Sequence, residues 1–402
     1  MKEKKQKTWI KFRHKVLREI LYVILGPYCL LKYGLKVEKF KAQGDRAYLV
    51  LLNHQTPFDQ FFAGMAFRGP VYYVATEDIF SLGWISSIIR WVIAPIPIRK
   101  QTTDINAVMT CIRVAREGGT VCIAPEGNRS YSGRTEYMNP AIAGLAKKMK
   151  LPIAIFRIEG GYGAQPRWSD GVRRGTVRAY VSEVIEPEEL AALSKEDLNE
   201  RIQKALMVND CAAGGSFRSK KSAEYLERAY YVCPNCGLSE FHSEGNRFHC
   251  KKCGAAGTYE ADLSITGDLP FANSLEWYDY QANYINSLDV TTMTAEPLYR
   301  DTAQFSKVIV YKRKELLRKE VSLSLYGDRI VVDEGKENQL VFPFADTLAV
   351  TVLGRNKINI YHDGQIYQIK SHKRFCGLKY VHIFHRYKNI MRGEPNDQFL
   401  GL

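Results

Sequence analysis

The chain is predicted to be α/β, a central mixed sheet flanked by helices, followed by a small cysteine-bearing module and a β-rich domain that ends in a helix. Three observations predict this. Between residues 48 and 158, short apolar runs alternate with segments of helical period, and polar clusters fall where the runs end. Two Cys-x-x-Cys pairs, Cys233/Cys236 and Cys250/Cys253, stand in the second half. Past residue 303, seven short alternating stretches are followed by one helical stretch. At 402 residues the chain exceeds what a single core ordinarily holds, so several domains are expected.

The formal charge of +14 sits mostly at two places. Residues 1–18 carry eight Lys/Arg against Glu3 alone, and residues 355–392 carry nine against Asp363 alone, which leaves the rest near neutral. Such basic ends suit an anionic membrane surface, nucleic acid or a phosphorylated ligand, or form a solvated face. Residues 1–35 are read as a basic, amphipathic, membrane-interfacial segment. Trp9, Ile10, Phe12, Val16, Leu17, Ile20 and Leu21 recur at roughly helical spacing among lysines and arginines. The run ILYVILGPYCLL at 20–31 is too short to span a bilayer, and Gly26-Pro27 is expected to break it. Arg18 and Glu19 beside that run, with no small-residue cleavage site, speak against a secretion signal. A second apolar stretch, 79–98, contains Arg90 and two prolines and is not a simple span.

Residues 48–52 read as a buried strand and 53–57 as a turn. Thr56 is expected to cap a helix over 58–67 with Pro57 at its first position, where a missing N–H costs nothing. Asp59 then lies in the first turn and can reach back to His54. A carboxylate on one ring nitrogen fixes the tautomer and leaves the other nitrogen free as a base. Further strands are expected at 71–75, 120–124 and 151–158, and helices at 104–117 and 143–149. The polar clusters Arg99-Lys100 and Pro125–Ser130 sit at strand ends, where α/β sheets hold ligands.

These segments, in this order, resemble the glycerolipid acyltransferase family (PlsC-like, 1-acyl-glycerol-3-phosphate acyltransferases) over roughly residues 20–205. Asn53, His54 and Asp59 match its Asn-His-x4-Asp block. Pro125, Glu126, Gly127, Arg129 and Ser130 match Pro-Glu-Gly-Thr-Arg-Ser, with Asn128 in place of Thr. Leu151-Pro152-Ile153 matches a Val-Pro-Ile-like strand, and Ile98-Arg99-Lys100 stands where the family has Ile-Asp-Arg. The resemblance implies an acyltransferase domain over 36–210 that moves a fatty acyl group from acyl-CoA or acyl carrier protein to a glycerol hydroxyl. His54 would be the base and Asp59 its orienter. Arg129 with Arg99 or Lys100 would hold an acceptor phosphate. Asn53, Glu126, Gly127, Asn128 and Ser130 would complete the substrate contacts, with backbone N–H groups near Gly127-Asn128 or the His54 turn as oxyanion donors. Lysophosphatidate is the expected acceptor and phosphatidate the product. The enzyme would be attached interfacially to the cytoplasmic face of the membrane.

In the second half, residues 211–228 read as a linker and 229–260 as a zinc ribbon. Cys233, Cys236, Cys250 and Cys253 offer four thiolates on two tight turns, the set of a structural zinc site without an open position, with iron in a rubredoxin-like pair of knuckles as the alternative. His242 and His249 are surplus to it. Residues 261–300 form an aromatic-rich helical connector, with Trp277, Tyr280 and Tyr284 at helical spacing. The element order over 301–392, seven strands and a helix, looks like a PH/GRAM-type domain, with 393–402 as a tail. Two rivals stand beside the leading reading. One is an acyltransferase acting on another lysophospholipid or hydroxyl lipid. The other is a non-catalytic lipid- or nucleic-acid-binding adaptor, against which the intact His54, Asp59, Glu126 and Arg129 argue; nucleic acid is not the expected partner.

Overall fold

The computed structural model describes residues 8–98, 104–309 and 312–401. The chain divides into two compact units, Met1–Ala164 with Arg174–Ala213, and Gln165–Arg173 with Gly214–Leu402.

The first unit begins with helix α1 (Phe12–Tyr33) and strands β1 (Leu35–Val37) and β2 (Leu49–Leu52). Next come α2 (Asp59–Ala66), β3 (Val71–Thr76), α3 (Trp84–Val92), β4 (Ile96–Ile98), α4 (Ile105–Arg116) and β5 (Thr120–Ile123). It closes with α5 (Ala141–Met149), β6 (Ile153–Glu159), the short α6 (Gly161–Ala164), β7 (Val177–Ile185), α7 (Pro187–Ala192), α8 (Lys195–Leu206) and the short α9 (Asp210–Ala213). The sheet order is β1-β7-β6-β2-β5-β3-β4. All neighbours run parallel except β6 and β7. All four residues of β2 are buried, which is why this strand reads as an unbroken apolar run. Leu49, Leu51, Val121, Ile153 and Ile155 of the sheet pack with Cys111, Val114, Ala143, Ala146, Leu198 and Ile202 in one core. The ends of α4 and α8 are capped by side chains: Asp104 accepts from Ala107 N, and Ser194 from Asp197 N.

The sequence places a break at Gly26-Pro27; α1 instead continues through Pro27. Pro27 lies on the exposed side, where the carbonyl it leaves unpartnered can be hydrated, while Gly26 faces inward against Met65. Tyr28 and Tyr33 of α1 pack their rings on Phe58 at the start of α2, and Tyr33 also on Phe62. Phe12, Val16, Ile20, Val23, Ile24 and Leu31 of α1 are exposed, as are Trp84, Ile85, Ile88 and Trp91 of α3. The two helices are tied where Arg13 Nε donates to Trp91 O at 3.3 Å. Among the described residues no helix is long and apolar enough to cross a membrane.

The second unit opens with β8 (Val232–Cys233), β9 (Gly237–Leu238), β10 (Phe241–Glu244), β11 (Arg247–Cys250), β12 (Ala256–Tyr259), β13 (Ile265–Gly267) and α10 (Ser274–Ser287). Trp277 of α10 is fully buried and stacks on Tyr230 at 4.4 Å, with Phe241, Phe248 and Phe271 around it. Then follow β14 (Tyr299–Ile309), β15 (Arg313–Leu325), β16 (Arg329–Val332), β17 (Leu340–Pro343), β18 (Thr347–Leu353), β19 (Lys357–His362), β20 (Gln365–Ser371) and α11 (Leu378–Met391). These seven strands form one sheet in the order β17-β16-β15-β14-β20-β19-β18. The β19–β20 turn places Asp363 and Gly364 at φ 46° and 68°, the geometry an Asp-Gly hairpin favours.

Candidate active site

Three adjacent strands, β6, β2 and β5, end at one place, and the first polar cluster leaves the middle one. Asn53 continues β2 by one step through its side chain: Nδ2 donates to Ile158 O, and Oδ1 accepts from Ile158 N, both at 2.8 Å. Its amide is therefore used on the backbone of β6, and the residue is fully buried. His54 follows. Its N–H donates to Glu126 Oε1 at 2.7 Å, and its carbonyl accepts from Ser130 N at 3.0 Å. The turn after β2 and the loop after β5 are thus sewn together on both sides of the histidine.

The His54 ring meets Asp59 with Nδ1 and Oδ2 2.8 Å apart. Asp59 has no exposed surface, while the imidazole keeps a quarter of its own. The carboxylate also accepts from Gln55 N at 2.6 Å, from Thr56 N at 2.9 and 3.0 Å, and from Thr56 Oγ1 at 2.6 Å. Helix α2 starts at Asp59, one residue later than the sequence suggests, with Phe58 at the cap position. Thr56 does not cap it in the expected way. Its hydroxyl donates to Asp59 and accepts from Phe58 N at 3.1 Å, so it bolsters the carboxylate. Three donors fix the orientation of Asp59, and Asp59 fixes the imidazole, with Nδ1 engaged and Nε2 the remaining ring nitrogen.

The loop after β5 supplies the other expected residues. Glu126 is buried, accepts Glu136 N on Oε2 at 3.0 Å as well as His54 N, and burial pushes its carboxyl up to about 8 against the pull of those two donors. Gly127 adopts φ 66°, a conformation that favours glycine, with its N–H on Ala124 O. Arg129 Nε donates to Gln55 O at 3.1 Å, which brings the guanidinium to the histidine turn. Ser130 is buried and accepts Gly133 N on its hydroxyl at 2.9 Å. Asn128 lies between them in the same loop. The N–H groups of His54, Gln55, Thr56 and Gly127, expected as oxyanion donors, are all engaged inside the protein here. Arg99 and Lys100 lie outside the described residues.

Sequence reading missed three contributors. Gln55 is buried and its Oε1 accepts from Tyr162 N at 3.2 Å. Glu136 meets Glu126 through its N–H. Asp210, almost fully buried, accepts from Gly160, Tyr162 and Gly163 N–H at 2.8, 2.9 and 3.2 Å. Burial pushes the Asp210 carboxyl up to about 6 although these three backbone donors stabilise its charge.

In the second unit the Sγ atoms of Cys233, Cys236, Cys250 and Cys253 all lie within 4.8 Å of one another, with Cys233 and Cys253 3.7 Å apart. A tetrahedral zinc with Zn–S of about 2.3 Å separates its sulfurs by roughly 3.8 Å, so the four thiolates fit that ion. Cys236 N donates to Cys233 O and Gly254 N to Cys250 O, closing two tight turns that Gly237 and Gly254 leave at positive φ. His242 and His249 face each other across β10 and β11, outside this group.

Residues 35–158, which hold His54, Asp59 and the Glu126–Ser130 loop, match the Acyltransferase family model. This stretch is an acyltransferase domain. Similar to it are a chloroplastic 1-acyl-sn-glycerol-3-phosphate acyltransferase of Brassica napus, 21% identical over 179 residues covering 44% of this chain and 51% of the relative. The 1-acyl-sn-glycerol-3-phosphate acyltransferase of Bacillus subtilis is 24% identical over 197 residues, covering 47% of this chain and 95% of its own length. The chain spans about half the length of the plant relatives it matches. Among solved structures, PlsC of Thermotoga maritima, a 1-acyl-sn-glycerophosphate acyltransferase, aligns over 48% of this chain and 78% of its own at 22% identity and a TM-score of 0.41.

Proposed function

We propose that the chain transfers a fatty acyl group from acyl-CoA or acyl carrier protein to the free hydroxyl of lysophosphatidate, giving phosphatidate. The observation that carries this is the His54 Nδ1–Asp59 Oδ2 hydrogen bond of 2.8 Å at the end of β2. With Nδ1 held by a carboxylate, Nε2 removes the hydroxyl proton as that oxygen attacks the thioester carbonyl carbon. The tetrahedral oxyanion collapses, the C–S bond breaks, and the imidazolium gives its proton to the leaving thiolate. Asp59 stabilises the imidazolium throughout. No acyl-enzyme is needed, because the thioester is already activated. Arg129, with Arg99 or Lys100, holds the acceptor phosphate, and the fork of an arginine suits two phosphate oxygens.

The decisive experiment is a donor-by-acceptor panel on the purified protein with His54→Ala as control. Arg129→Ala is expected to raise KM for lysophosphatidate about 10–100-fold, the worth of one or two charge-assisted hydrogen bonds, with little change for an uncharged hydroxyl acceptor. An equal loss on both acceptors defeats the phosphate role. Acceptor preference for another lysophospholipid in the panel selects the alternative acyltransferase reading, and DNA retention by the chain with no transfer at all selects the adaptor.

Attachment to the cytoplasmic face of a membrane is part of the same reading. The exposed apolar residues of α1 and α3 support it, because contiguous apolar surface of this kind on a basic segment suits the headgroup region. Replacing Ile20, Val23 and Ile24 together by glutamate is expected to release the protein from anionic vesicles in a flotation assay without altering its far-ultraviolet dichroism. Unchanged flotation argues against α1 as the anchor. Cys233, Cys236, Cys250 and Cys253 are assigned a structural zinc, and the seven-stranded unit a PH/GRAM-type role in surface contact.

A further inference from the structure

Immediately behind the His54 turn lies a third buried carboxylate, one that the acyl-transfer reading does not use. Asp210 opens α9, beyond the residues matched by the acyltransferase family model. It accepts three N–H bonds, from Gly160, Tyr162 and Gly163, which together form the turn leaving β6. Its own N–H donates to Gly133 O at 3.0 Å. The strap around it is fastened to the loop after β5, where Thr135 N donates to Val208 O and Val208 N to Thr135 Oγ1, both at 2.9 Å. A side chain on Gly133 would strike the Tyr162 ring at 2.7 Å, so this strap, that loop and the β6 turn are pressed together.

The β6 turn in its turn holds the residue next to the histidine. Tyr162 N donates both to Asp210 Oδ2 and to Gln55 Oε1, at 2.9 and 3.2 Å. Gly161 lies so close to Gln55 that a Cβ there would stand 2.6 Å from Oε1, 2.9 Å from the Gln55 Cβ and 3.1 Å from Thr56 Cγ2. The Gln55 and Thr56 N–H groups are the ones that aim the Asp59 carboxylate at His54. A continuous line of contacts therefore runs from Asp210 through the 160–163 turn and Gln55 to the His54–Asp59 pair.

We propose that Asp210 is a positioning residue for acyl transfer, acting through the 160–163 turn and Gln55 to hold the His54–Asp59 pair in line. This rests on His54 being the base. A misaligned base slows the chemical step and leaves binding of both substrates intact, so the signature is a fall in kcat at constant KM. A carboxylate can accept all three N–H groups; an asparagine in its place loses the charge and turns an NH2 toward donors.

The test is steady-state kinetics of the full chain and five variants, with acyl-CoA and lysophosphatidate. Asp210→Asn is expected to lower kcat at least tenfold with KM for both substrates within twofold of the parent. Gln55→Ala is expected to do the same, and the double variant to be no slower than the slower single one, because both act on one line of contacts. Gly161→Ala presses on Gln55 from within the 160–163 turn while leaving the Asp210 side chain in place, and gives the same kinetic signature, which keeps the test open should Asp210→Asn fail to fold. A kcat within twofold of the parent in a folded Asp210→Asn or Gly161→Ala, or additive losses in the double variant, overturns the proposal. His54→Ala separates the two levels. If it retains transfer, the base assignment fails first; if it loses transfer while the others keep theirs, only the role of Asp210 fails.

Discussion

Replacing His54 by alanine is expected to lower kcat/KM for acyl transfer by about three orders of magnitude, the typical worth of a general base, while the unfolding midpoint stays within a few degrees. The ring is the partly exposed member of its pair, so its removal opens no sealed cavity. Asp59 behaves differently. Asp59→Asn keeps the shape but presents an NH2 to a site filled by the N–H groups of Gln55 and Thr56 and by the Thr56 hydroxyl. Activity should fall by roughly two orders of magnitude or more, because the tautomer of His54 is no longer fixed, and stability should fall as well. Paired measurement of rate and thermal midpoint on the two variants checks the contrast. Should His54→Ala retain the parental rate, the chemistry assigned to this site is wrong.

The second large effect concerns the four cysteines. Chelation of a bound zinc, or Cys250→Ser, is expected to unfold the ribbon, because three short strand pairs over so few residues cannot sustain a core without the ion. Trp277 is the natural reporter: it is fully buried among Tyr230, Phe241, Phe248 and Phe271, and its Nε1 donates to Val232 O at 2.9 Å, one residue from the first cysteine. Its emission should shift to the red on chelation, with about one zinc released per chain. The His54-dependent rate should not fall in step with zinc loss, since four thiolates leave no coordination position for a substrate. A metal content near zero in protein prepared without chelator would remove the ion from this account.

The parts of this architecture that were legible from sequence are those governed by short range. A wholly buried strand has to be apolar throughout, so β2 could be read directly, and β6 by the buried apolar run Ile153–Phe156 that opens it. His54 and Asp59 are close in the chain, and one turn brings them together. The cysteine pairs carry their geometry in their spacing. What escaped depends on tertiary context. Pro27 reads as a helix breaker by local rules, yet it stands on an exposed face that tolerates it. Strand β15 begins well before its alternation is visible, because its first half is largely exposed and charged and is held by pairing to β14. Thr56 reads as a cap and serves a carboxylate. Gln55 and Asp210 lie far apart in sequence and carry no motif; only the folding of β6 and α9 against the His54 turn joins them.

The amide that joins Asn53 to His54 has a bearing on chemical ageing. Asparagine deamidates when the nitrogen of the following residue attacks its side-chain carbonyl and closes a five-membered imide. Here that nitrogen is committed to Glu126, and the side chain it would attack is clamped at both ends by Ile158. The folded protein therefore withholds both reactants, and deamidation at this pair should proceed only in molecules that have unfolded.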